Sequence, residues 1–172
     1  QQFLPAKNQH WIAAGLQFIS FGFIHGKLVV VVGFPNFSLR ILGSAAFGIS
    51  PVAYFELELE ASADDESFRL VAGLSHNSYV IHPDIFSLHG QFGLATWHGG
   101  DHAGDFVFSI GGYHDAFPVP GHYPTLDRVG VTAVVYGFVR MTVTCYFATT
   151  PDAMMAGASV SLSAEFAGIA AG

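Results

Sequence analysis

Residues 54–74, YFELELEASADDESFRLVAGL, decide the fold class. Phe55, Leu57 and Leu59 alternate with Glu56, Glu58 and Glu60, and after a polar break Phe68, Leu70 and Ala72 resume the alternation. A repeat of two residues is the signature of a half-buried strand, because successive side chains leave opposite sides of an extended backbone. Between the two runs, residues 63–67 supply Asp and Ser side chains that bond to nearby backbone and favour a turn. The stretch therefore predicts an antiparallel hairpin with one wet face.

Working outward, the same punctuation recurs. Val139, Met141, Val143, Cys145 and Phe147 point one way, with Arg140, Thr142, Thr144 and Tyr146 opposite. Both sides of that strand are apolar enough to predict a position between layers, with Cys145 as a small buried residue. Val160, Leu162, Ala164 and Phe166 alternate with Ser159, Ser161, Ser163 and Glu165. Further strands are predicted at 16–24, 27–33, 37–49, 78–81, 86–97, 105–112 and 129–135, separated by Gly, Pro and Asn. The expected fold class is all-β and antiparallel, with about ten strands in a curved sheet that forms a sandwich or barrel-like layer structure. Residues 1–172 fit one β-rich domain, or a piece of a longer chain.

Composition narrows the function. The chain is 51% hydrophobic with 17 Phe, and only 11% charged, against roughly 25% in soluble domains. The six basic residues (Lys7, Lys27, Arg40, Arg69, Arg128, Arg140) are scattered and the net charge is −7, which argues against nucleic acid as a partner. The longest apolar run, Leu28 to Val32, is too short for a transmembrane helix. A transmembrane barrel has only a weak sequence signal, and the three glutamates of residues 54–60 fit a soluble sheet at least as well.

One tract is dense in chemistry. Residues 97–130 hold four of the nine histidines together with several aspartates. His98, His102, His114 and His122, with Asp101 or Asp105, form a candidate set for a divalent metal, the only cofactor the sequence suggests. Their spacing follows no ligand motif, and Gly99-Gly100 opposes the helix that would align His98 with His102. A second reading makes Trp97, His102, Asp105, Tyr113, His114, Phe117, Tyr123 and Arg128 a platform for a glycan or a lipid-like, apolar ligand across loop 97–124. The plainest reading is structural: the aspartates cap turns, Tyr113 and His114 bond to backbone, and prolines stiffen a long loop. No catalytic residue is singled out, since no serine lies in a nucleophile elbow and the lone cysteine has no placed histidine.

Within this tract, His102 to Phe106, Gly111 to Phe117, Tyr123-Pro124 and Arg128 to Gly130 form a run, followed by Cys145 to Pro151 and Met155 to Gly157. The run resembles that of domain-of-unknown-function family 6603, found in large β-rich microbial proteins. Asp115 and Cys145 stand where that pattern usually has Pro and Ala. The resemblance, over roughly residues 16–167, implies repetitive antiparallel sheet and no assigned activity. It also implies further strands after the Met-Ala-Gly turn, so that Gly172 reads as an early stop. An incomplete sheet offers unpaired backbone groups to another strand. The leading expectation is thus a non-enzymatic structural or assembly module that self-associates or pairs with adjoining strands of a parent chain. Alternatives are a ligand-binding module and a metal-dependent enzyme.

Overall fold

The computed structural model describes residues 9–49 and 51–164. Lys7, and the Glu165 and Phe166 end of the last predicted strand, lie outside the described residues. Eleven strands run in chain order: β1 (His10–Ser20), β2 (Ile24–Phe34), β3 (Ser38–Ile49), β4 (Ala53–Asp64), β5 (Ser67–Leu74), β6 (Tyr79–Val80), β7 (Phe86–Trp97), β8 (Phe106–Ile110), β9 (Val129–Val135), β10 (Val139–Thr149) and β11 (Met154–Ala164). One 3-10 turn, Gly100–His102, interrupts them. All eleven form a single antiparallel sheet in the order β1-β2-β3-β4-β5-β7-β8-β10-β11. The short β6 continues the β5 lane between β4 and β7, and β9 continues the β8 lane between β7 and β10.

Register fixes the two faces, because paired residues of an antiparallel ladder point to the same side. One row, Leu16–Leu28–Gly43–Leu59–Ala72–Phe92–Ile110–Phe147–Ala156, crosses all nine lanes through direct pairs. No Asp, Glu, Lys or Arg of the described strands lies on that face. Lys27, Arg40, Glu56, Glu58, Glu60, Asp64, Arg69 and Arg140 all fall on the other. The sheet is therefore amphipathic as a whole: one face is free of formal charge from edge to edge.

Three predictions change. The strand expected at 16–24 is His10–Ser20, followed by a turn in which Phe21 and Gly22 both have positive φ. Its apolar residues look like more strand, and only Gly22 marks the reversal. Strand β10 does not sit between layers: Met141, Val143 and Cys145 are exposed on the charge-free face. Alternation assigns side chains to faces, but no described segment packs over that one. Cys145 is thus a surface thiol rather than a buried one. The hairpin 54–74 forms as expected. Asp64 Oδ1 accepts from the backbone N–H of Glu66 and Ser67 and from the Ser67 hydroxyl, which offsets the desolvation of its carboxylate and lowers its pKa.

Candidate functional site

The β8–β9 lane is broken by residues 111–128, which leave the sheet and fold back over its charge-bearing face. The break needs glycine. Gly111 and Gly112 both have positive φ, and a Cβ on Gly111 would meet backbone atoms of Cys145 and Val129, a position that only a residue without a side chain occupies easily. Where the segment lands, the sheet offers small residues. Gly93 leaves room for Pro124 and Leu126, and Ala95, Val107 and Ala148 are fully buried beneath Tyr113 and Tyr123. Trp97, Phe117 and Met155 close the sides. These residues form the buried hydrophobic cluster of the described chain, and it lies off the sheet plane.

Polar anchors hold the segment. Tyr113 donates to the carbonyl of Pro124 at 3.0 Å and Ser109 to that of Gly112 at 2.7 Å. Arg128 donates to the carbonyl of Gly111 at 3.1 Å, pairs with Asp115 at 2.7 Å, and lies 4.0 Å over the Tyr146 ring. That ring in turn occupies the space a side chain at Gly157 would need.

Asp105 is the hub. Its carboxylate meets His122 Nε2 at 2.7 Å, accepts from the Tyr123 hydroxyl at 2.7 Å, and accepts from the backbone N–H of Phe106 at 2.7 Å. Burial opposes its charge, but these hydrogen bonds, from His122 and Tyr123 foremost, prevail and hold its pKa below the usual carboxylate range. Burial, and then the hydrogen bond to Asp105 and its charge, push the Tyr123 hydroxyl far up. Burial raises Tyr113 to about 12. Around the hub the rings pack on one another: Trp97 stacks on Tyr123 at 5.6 Å, His102 on His122 at 3.8 Å, and Tyr113 on Phe117 at 5.8 Å.

The sequence candidates separate accordingly. Trp97, His102, Asp105, His122 and Tyr123 converge, and Tyr113 and Phe117 join them through Tyr123. Arg128 and His114 sit apart at Tyr146, where His114 meets the ring edge and its backbone N–H reaches Met155 Sδ. The proposed metal set does not assemble: of its four histidines only His102 and His122 touch, with Asp105 against His122. Among the described residues no group of three or more His, Cys, Asp or Glu side chains is placed to hold a metal ion. The physical reason is topological, since His98 and His102 follow β7 while His114 and His122 lie at different points of a segment that crosses the sheet. Asp105 and His122 resemble a carboxylate-oriented general base, yet Trp97, His102 and Tyr123 wall the imidazole. The platform rings largely face each other, with Tyr113 and Tyr123 buried.

Sequence reading passed over a second concavity. A shallow trough of about 930 Å³ crosses the charge-bearing face and is lined by Gln17, Lys27, Ser44, Glu56, Glu58 and Gln91. Glu56 is fixed there by Ser75 and Asn77, each donating at 2.7 Å, which lowers its pKa. Ser75 and Asn77 lie in the break between β5 and β6, so both interrupted lanes end in polar clasps.

The model of the Family of unknown function (DUF6603) matches residues 1–172. No curated protein and no solved structure matches the chain.

Proposed function

The chain belongs to that uncharacterised family, and on this premise we propose that it is a non-enzymatic structural module that assembles by burying its charge-free sheet face. The carrying observation is that face itself. It spans nine hydrogen-bonded lanes without one formal charge, and Leu16, Met154, Val160 and Leu162 stand exposed on it. An apolar surface of this extent marks an interface. Among the described residues β1 and β11 each also have one edge without a partner strand, which invites strand addition. A second copy, or adjoining strands of a parent chain, would cover both. The 97–130 tract then serves as a clasp that gives the sheet a packed centre, consistent with the mutual stacking of its rings.

The experiment is light scattering over a dilution series, on the natural chain and on V160K/L162K. Both positions are exposed, so the variant monomer keeps its fold. Concentration-dependent association lost in the variant is expected; a natural chain that stays monomeric throughout contradicts the proposal.

A further inference from the structure

The two ends of the sheet differ in chemistry. Following the chain up and down the lanes places four connections at one end, with described residues 21–23, 51–52, 81–85 and 136–138. They fall between alternate lanes, so with strands about 4.8 Å apart they form a row of roughly 29 Å from first to last. Phe21 is 85% and Tyr136 86% exposed, and Phe23, Val52, Ile81, Ile85 and Phe138 are exposed as well. Asp84, beside His82, is the one formal charge among the described residues of these tips. The connections at the opposite end hold Asp65, Glu66, Asp101, Asp105 and Asp152.

The tips are also costly to build. Among the described residues three non-glycine residues have positive φ: Phe21 at 53°, Ile81 at 67° and Tyr136 at 55°. All three are in this row. Phe21-Gly22-Phe23 and Tyr136-Gly137-Phe138 are the same solution twice, with positive φ at both of the first two positions. Such a hairpin turn favours Asn, Asp or Gly at the first position, because bulky side chains are strained there. A bulky ring that disfavours its own turn, and meets only the neighbouring tip ring at 6.3 Å while staying almost fully exposed, contributes little to folding. Its role lies in what it meets.

We propose that this row of aromatic and aliphatic tips inserts into the headgroup–acyl boundary of an electrically neutral phospholipid membrane. Tyr136 suits that boundary because its ring is apolar at one end and wet at the other, and Phe21, Phe23 and Phe138 supply the wholly apolar rings that interfacial segments bury there. The near absence of charge fits a zwitterionic surface, and the acidic connections face away from it. Projecting knuckles about 10 Å apart bury well in a fluid that closes around them, whereas a protein partner would need a matching row of holes. This inference is independent of the assembly proposal, which uses the flat face and strand edges.

The test is sedimentation with phosphatidylcholine vesicles, comparing the natural chain with F21N/Y136N. Asparagine suits the turn, so the double variant should melt at an equal or higher temperature. Its partitioning should fall roughly tenfold or more, from the lost ring burial, while binding by the natural chain should persist in high salt. A natural chain that stays in the supernatant overturns the proposal. So does a double variant that sediments equally, which would assign the binding to the flat face, and so does tip protection that appears only on self-association, which would assign the tips to a protein contact.

Discussion

The β7–β11 half and the β1–β3 half share one hydrogen-bond ladder but not one fate. In the first, residues 111–128 fold over Ala95, Val107 and Ala148 and exclude solvent from all three, while β11 at its edge stays exposed. In the second, no described residue of β1 to β3 is buried, and β1 is exposed along nearly its whole length. Both halves are paired by antiparallel ladders. Cover is what differs. A sheet with apolar residues becomes a stable core only where a second layer is present, and among the described residues that layer is one loop.

Stability should follow the cover. Tyr123→Ala removes a buried ring and a donor to Asp105 and should cost about 3 kcal/mol or more in denaturant unfolding. Ile12→Ala on β1 should stay within about 0.5 kcal/mol; similar losses at both sites would break the contrast between the halves. Asp105→Asn comes next, at about 1–3 kcal/mol. Because the Asp105 pKa is depressed in the folded chain, its contribution is present above the unfolded value of about 3.9 and disappears as pH falls through the lower folded value. Below about pH 4 the natural chain should therefore lose stability more steeply than the asparagine variant. The smallest perturbation is none: in amide exchange at low protein concentration, β1 should exchange faster than β7 and β8. Equal protection would mean that the ladder alone suffices.

Much of this was legible in the sequence, and the misses share a cause. Gly, Pro and Asn punctuation marks the strands from Phe86 to Trp97 and from Val129 to Val135, and alternation marks the hairpin around the Asp64 turn, because those features are local. The end of β1 was misplaced because Phe21 occupies a turn position that usually signals itself with Asn or Gly. The enclosure predicted for β10 failed because periodicity says which face a side chain joins, not whether anything covers that face. In the 97–130 tract, the density of His, Asp and aromatic residues was visible. Their sorting into an Asp105 hub and a separate Arg128–Tyr146 contact depends on a segment that leaves one lane and re-enters it eighteen residues later. That path has no local signature beyond Gly111-Gly112.

Cys145 offers the most direct test of the claim that the charge-free face is an assembly surface. It is the only cysteine, it is exposed, and its pairing with Ala158 and Val129 puts it on that face. Its rate of reaction with a thiol reagent can be followed without denaturant as protein concentration is raised. Rapid labelling in dilute solution that slows in step with association is predicted; a rate independent of concentration, in a sample shown to associate, would contradict the account.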